Sequence, residues 1–176
     1  VKVAITGTPG TGKTTLAKAL ARALDVPYVG AGDIARSVDP NTAATGAMAE
    51  EGGFQRAMVK ALHGLDDFVL DGFPRTRWQV DLLPHVTITI LLTCREEIAR
   101  ERLLVRSRHE NRRDGMRDLI DARIEEQTRL LELDLPNGWA WRLVGFERAV
   151  ATSQKKPQQV LDGVLAYLRG EKKECF

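Results

Sequence analysis

Gly7-Thr8-Pro9-Gly10-Thr11-Gly12-Lys13-Thr14 meets every fixed position of the pattern G-x-x-x-x-G-K-[ST]. The flanking residues decide what it means. Upstream, Val1-Lys2-Val3-Ala4-Ile5-Thr6 is rich in β-branched residues and reads as a buried strand. Downstream, Leu16, Leu20 and Leu24 fall on one helical face, among the strong helix formers Ala17, Ala19, Ala21 and Ala23. A strand, a glycine loop and a helix, in that order, build an anion cradle. The glycines let the backbone wrap closely with its N–H groups turned inward, and the helix N-terminus adds partial positive charge. In such a loop the Lys13 ammonium reaches the β- and γ-phosphates of a nucleoside triphosphate, and the Thr14 hydroxyl serves Mg²⁺. Gly7, Gly10, Thr11, Gly12, Lys13, Thr14 and Thr15 are the candidate ATP-binding residues of this segment.

Strand-like and helical runs alternate through the rest of the chain. Tyr28-Val29 is a short extended stretch, and Phe68-Val69-Leu70 is an apolar run ahead of Asp71. Val86-Thr87-Ile88-Thr89-Ile90-Leu91-Leu92 is the strongest strand, and Trp139-Ala140-Trp141-Arg142-Leu143-Val144 reads as another, interrupted by the charge on Arg142. Helical stretches are expected at about 77–83, 95–106, 115–133 and 157–168. This alternation predicts an α/β fold, a parallel sheet with helices on both faces in a three-layer sandwich. Ligands of such sheets bind beyond the carboxyl ends of the strands. The glycine loop and Asp71 both follow strands and are therefore placed at that edge. Two stretches, 37–64 and 107–114, are irregular or polar, the first with an amphipathic helix near 54–62. Both read as insertions over the sheet within a single domain spanning 1–176.

Composition narrows the function. The chain is 43% hydrophobic and 28% charged, as expected of a globular domain. A net charge of +2 is too balanced to argue for duplex nucleic acid or a membrane surface. No apolar run approaches a membrane span and no signal segment opens the chain, so a cytoplasmic protein is expected. Cys94 and Cys175 read as two reduced thiols, and His63, His85 and His109 lack zinc-ligand spacing.

A second motif, Asp71-Gly72-Phe73-Pro74-Arg75, follows the strand at Phe68. With the glycine loop, it closely resembles the adenylate kinase branch of the nucleoside monophosphate kinases. The resemblance covers about residues 1–168 and holds spacing elsewhere. Gly32-Asp33-Ile34-Ala35-Arg36 resembles the family's G-D-x-x-R segment, and Gln79 matches the glutamine that hydrogen-bonds the adenine of AMP. Arg102 and Arg106 match a paired-arginine helix; Arg112 and Arg123 match arginines of the lid and the helix after it.

The resemblance implies a P-loop kinase with a small monophosphate-binding insertion at 37–64 and a short lid at 107–114. It implies a monomer whose partners are small nucleotides, with ATP as phosphoryl donor and Mg²⁺ as cofactor. Arg36 and Arg75 would grip the acceptor phosphate, with Asp33 and Gln79 on the same monophosphate. Arg106, Arg112 and Arg123 would neutralise the transferring group alongside Lys13 and Arg75, and Arg102 would stack on the donor base. Asp71, at a strand end, is expected to hold a metal-bound water, with Thr14 on the metal itself. Asp33 reads as a helix N-cap, an orienting carboxylate, or both.

The residue chemistry agrees. Phosphoryl transfer between nucleotides gathers several phosphates in one place and asks for Lys, Arg and Mg²⁺ rather than covalent chemistry. Arginine forks suit phosphate oxygens bidentately. Arg102 lies four residues from Ile98 and three from Val105, and Arg123 four from Leu119 and three from Ile120, so both stand near apolar helical faces. Arg95, Arg100, Arg108, Arg113 and Arg117 read as a solvated face.

The chain also departs from the family pattern. Its first insertion is short and lacks an L-V-T-D-E-like segment, Ala31 replaces a Ser/Thr before Gly-Asp, and the lid carries no Cys cluster. Thr152-Ser153-Gln154-Lys155-Lys156-Pro157 replaces the usual loop near the donor base. These changes point to a broad acceptor range that includes deoxynucleoside monophosphates. A strict adenylate kinase, a small-metabolite kinase and a nucleotide-dependent binding module with slow ATPase activity are the alternatives.

Overall fold

In β1 (Lys2–Gly7), Val3, Ala4 and Ile5 are all completely buried, which requires cover on both faces of the sheet. The computed structural model describes residues 1–40, 51–75, 79, 88–110, 120–122, 124–125, 146–152 and 155–171. After β1 come α1 (Lys13–Leu24), β2 (Tyr28–Gly30), α2 (Ala31–Val38) and α3 (Glu51–Leu62). They are followed by β3 (Phe68–Asp71), β4 (Ile88–Thr93), α4 (Glu96–Glu110), β5 (Phe146–Ala151) and α5 (Pro157–Leu168). The strands form one sheet in the order β2-β3-β1-β4-β5, and every pairing is parallel. This is the α/β sandwich expected from the alternation of elements.

Strand periodicity sorts the core into two clusters. Val3 and Ile5 of β1, Val69 of β3, and Ile90 and Leu92 of β4 point to one face. There they meet Leu16 and Leu20 of α1 and Val160, Leu161 and Val164 of α5. Ala4, Phe68 and Leu70 point the other way, onto Phe54, Met58 and Leu62 of α3, with Ala31 and Phe73. Burying each large side chain of this kind stabilises the fold by about 1.5–3 kcal/mol. α1 ends at Asp25, whose left-handed φ of 54° lets the Val26 N–H reach the Ala21 carbonyl at 3.0 Å. α5 starts on Pro157, with the Lys156 N–H donating to Gln159 Oε1 at 2.8 Å.

Several elements differ from the sequence-based expectation. α2 is a full helix where only a motif was read, and its N-cap is Gly30. Asp33 therefore sits inside the first turn rather than capping it. α4 continues to Glu110, four residues into the expected lid at 107–114, because Ser107-Arg108-His109-Glu110 contains no helix breaker. The residues of the expected strand at 139–144 lie outside those described, and the strand beside β4 is Phe146–Ala151. The expected helix at 115–133 is helical at its described positions 120–122 and 124–125, and most of 77–83 lies outside the described residues. Among the described residues, no helix is long and apolar enough to cross a membrane.

The register places the site. Ile5 of β1 pairs with Asp71 of β3, and the Gly72 N–H donates to the Ile5 carbonyl at 2.8 Å. The glycine loop and Asp71 thus leave adjacent strands at the same level.

Candidate active site

The loop is held in shape by its own backbone and by α4. Gly7 and Gly10 adopt φ of 141° and 81°. A Cβ at Gly10 would stand 2.5 Å from the Ala99 carbonyl oxygen, and one at Gly7 would stand 2.3 Å from that of Leu92. Only glycine combines these dihedrals with such close backbone approach. The Thr8 carbonyl accepts from both Lys13 Nζ at 2.6 Å and Thr11 Oγ1 at 2.9 Å, which folds the lysine across the loop. α1 begins at Lys13, directly after the loop, and a helix N-terminus favours an anion.

A cleft of about 580 Å³ opens beside this loop. Six basic side chains line it, Lys13, Lys18, Arg36, Arg75, Arg102 and Arg106, against the two carboxylates Asp33 and Asp71. A chain that carries only +2 overall has concentrated its positive charge here, as a polyanion site requires. Arg36, on α2, is paired with Asp33 one turn earlier. Arg75 Nε donates to the Gly72 carbonyl at 2.8 Å.

Asp71 is 7% exposed and its two oxygens differ. Oδ2 accepts from Thr14 Oγ1 at 2.7 Å and from Tyr28 OH at 2.9 Å. Oδ1 is buried and has no hydrogen-bond partner among the described residues. A buried acceptor left unpaired is costly and calls for an unseen partner. A carboxylate oxygen and a hydroxyl beside a phosphate loop are a donor set that fits Mg²⁺. Burial, reinforced by the adjacent Asp71 carboxylate, pushes the Tyr28 hydroxyl well above its ordinary pKa and keeps it a proton donor.

Arg102 is tied into the scaffold. Its Nη1 donates to the Gly10 carbonyl at 3.4 Å, to Thr152 Oγ1 at 3.3 Å and to Cys94 Sγ at 3.6 Å, and its Nη2 donates to the Thr152 carbonyl at 3.0 Å. Thr152 Oγ1 also lies 3.0 Å from the Thr11 carbonyl and 3.1 Å from that of Thr93. A second cavity of about 300 Å³ adjoins this cluster, lined by Thr15, Leu16, Arg102, Thr152, Pro157 and Val160 among others.

The cleft therefore brings together Gly10, Gly12, Lys13, Thr14, Thr15, Asp33, Arg36, Asp71, Arg75, Arg102 and Arg106 of the residues singled out from the sequence. Gln79 is not among its described lining residues. It is 2% exposed, and its Oε1 accepts the Arg75 N–H at 2.6 Å. Arg112 and Arg123 lie outside the described residues. Sequence reasoning missed Lys18, whose Nζ stands 5.4 Å from the centre of the Tyr28 ring, as well as Tyr28 and Thr152. The one available signal was a tyrosine in an otherwise small aliphatic strand, two residues before Gly30.

Comparison with known proteins narrows the chemistry. A family model described as an AAA domain matches residues 3–128. The adenylate kinase of Corynebacterium urealyticum is 28% identical over 153 residues, covering 75% of this chain and 84% of that protein. The adenylate kinase of Cyanothece sp. is 32% identical over 139 residues, covering 67% of this chain and 71% of its own. That of Nocardia farcinica is 28% identical over 153 residues, with 75% and 84% covered. The chain belongs to the nucleoside monophosphate kinases, in their adenylate kinase-like branch, and is an enzyme of phosphoryl transfer between nucleotides.

Proposed function

We propose that this protein transfers the γ-phosphoryl group of ATP to a nucleoside monophosphate, deoxynucleoside monophosphates included. The products are ADP and the (deoxy)nucleoside diphosphate. One observation carries the reading: Lys13, Arg36, Arg75, Arg102 and Arg106 converge with the Thr14–Asp71 pair on a single cleft. Such a transfer needs charge neutralisation and alignment, and little covalent help from the protein.

Each residue has a task in this reading. The loop amides hold the triphosphate, and the Lys13 ammonium exchanges the Thr8 carbonyl for phosphate oxygens. Arg36, released from Asp33, and Arg75 hold the acceptor phosphate. An acceptor oxygen, already ionised at neutral pH, forms the new P–O bond as the bond from the γ-phosphorus to the bridging oxygen breaks. The leaving charge stays on ADP, and no general base is needed. Arg106 offsets charge on the migrating group, with Arg112 and Arg123 as further arginines for it. Thr14 and Asp71 would hold Mg²⁺, which when bound draws charge from the phosphate oxygens.

Two features support a broad acceptor range. The 37–64 insertion is short, and Gln79 is 2% exposed with one Oε1 lone pair already engaged by the Arg75 N–H. The test is a coupled ADP-release assay with Mg²⁺·ATP against a panel of ribo- and deoxyribonucleoside monophosphates. Turnover of several deoxynucleotides is expected. Turnover of AMP alone would make the enzyme a strict adenylate kinase. ADP release indifferent to every monophosphate would replace the kinase reading by a binding module with slow ATPase activity.

A further inference from the structure

We infer that Tyr28 is a positioning residue for the Asp71 carboxylate, fixing which of its oxygens is presented to the Mg²⁺·ATP site. The inference rests on the assignment of Thr14 and Asp71 to the metal made above.

Three observations converge on it. The first is the asymmetry of the carboxylate. Two hydroxyls, from Thr14 and Tyr28, both donate to Oδ2, at 2.7 and 2.9 Å, while the buried Oδ1 has no partner among the described residues. A Thr14 hydroxyl that gives a lone pair to a metal keeps its proton on Oδ2, but a single hydrogen bond still lets the carboxylate turn about it. A second donor on the same oxygen, carried by a different strand, removes that freedom. The second observation is the route the tyrosine takes. Tyr28 pairs with Val69, and Gly30, two residues on and on the same face of β2, pairs with Asp71. The hydroxyl must therefore run along β2 over Gly30 to reach Asp71. A Cβ at Gly30 would stand 2.9 Å from that hydroxyl, so the glycine keeps the route clear. The third is the fixing of the ring, over which the Lys18 ammonium stands 5.4 Å from the centroid. Groups that orient a metal-site carboxylate through hydrogen bonds act on metal affinity rather than on nucleotide contact.

The experiment is ATP binding measured by calorimetry as Mg²⁺ is titrated, with no monophosphate present. The proteins are the wild type, Tyr28→Phe, Asp71→Asn and the double variant. Tyr28→Phe is expected to raise the Mg²⁺ concentration for half-maximal effect about tenfold, and to leave metal-free ATP binding unchanged. The double variant is expected to match Asp71→Asn alone, since Tyr28 acts only through that carboxylate. Gly30→Ala is the second variant. It keeps the hydroxyl but displaces it, and should weaken the Mg²⁺ response in the same direction. Its nearer neighbour, Asp33 Oδ2 at 2.4 Å, is the flexible end of a side chain that the proposed reading places on the acceptor phosphate. A Tyr28→Phe titration that overlays the wild type, or effects of Tyr28→Phe and Asp71→Asn that simply add, would overturn the inference while leaving the metal assignment intact. A wild-type ATP affinity indifferent to Mg²⁺ would instead remove the metal assignment, and this inference with it.

Discussion

Thr152→Val should loosen the phosphate loop from the body of the sheet. The hydroxyl is at a junction of three elements, and its residue is 5% exposed. Its single proton serves either the Thr11 carbonyl at 3.0 Å or the Thr93 carbonyl at 3.1 Å, while its lone pair accepts from Arg102 Nη1 at 3.3 Å. Two hydrogen bonds are therefore lost at any moment, each worth about 1 kcal/mol net. Valine nearly preserves the shape, so no cavity cost is added. The bonds made by the Thr152 backbone, from its N–H to Thr93 at 2.9 Å and from Arg102 Nη2 to its carbonyl at 3.0 Å, survive. The expected loss is about 2 kcal/mol, which in a domain of this size lowers Tm by about 4–8 °C. Thermal unfolding followed by circular dichroism measures it. Steady-state kinetics adds a directional test. The broken links reach Thr11 and Arg102, so KM for ATP should rise more than KM for the monophosphate. A drop in Tm below about 1 °C would refute the energetic reasoning. Equal changes in the two KM values would refute the link to the loop.

Gly10→Ala would force a left-handed φ of 81° on alanine and set its Cβ 2.5 Å from the Ala99 carbonyl oxygen. The conformational cost alone is about 1–2 kcal/mol, and ATP affinity measured by calorimetry should fall at least about tenfold, since 1.4 kcal/mol is a factor of ten. Met58→Ala, at a fully buried position between α3 and the sheet, should cost about 2–5 kcal/mol in urea unfolding. Tyr28 gives a pH-dependent prediction. Its folded-state pKa is raised above the ordinary 10.0, so its contribution to stability is complete below pH 10 and is lost as pH rises through that value towards the folded one. The stability difference between wild type and Tyr28→Phe, measured by urea unfolding, should narrow above pH 10.0. A constant or widening difference would refute the shift.

Much of the centre of this molecule is legible in its sequence. β1 and β3 are buried on both faces and β4 is partly so, and their largely apolar runs need no knowledge of their partners. The loop and Asp71 follow directly, because each ends such a strand. β5 was harder to see. It lies at the edge of the sheet, Glu147 and Arg148 interrupt its apolar pattern, and the aromatic run before it is the stronger strand signal. α2 is only eight residues long and contains Gly32, too short for a helical period to stand out. The sequence places Thr152 only within a loop near the donor base and marks Tyr28 only as a tyrosine in a small aliphatic strand, with no task for either. Their meaning depends on partners 43 and 141 positions away, at Asp71 and Thr11, and neither residue type is distinctive alone. Gln79 illustrates the opposite case, where the motif was plain but the side chain is engaged with the backbone of Arg75.

The alternation of side chains along β1 and β3 has a consequence for how such an enzyme can change. α1, which carries the phosphate loop, rests on Val3, Ile5 and Val69, whereas α2 and α3 rest on Ala4, Phe68 and Leu70. The sheet is a partition between two foundations. One supports the part that grips a triphosphate, a demand shared by every substrate pair, and the other supports the helix bearing Arg36. Substitutions among the residues beneath α2 and α3 therefore act first on the helix that carries Arg36, on the face of the sheet away from α1. In the proposed reading, that is the side on which a change of acceptor would have to begin.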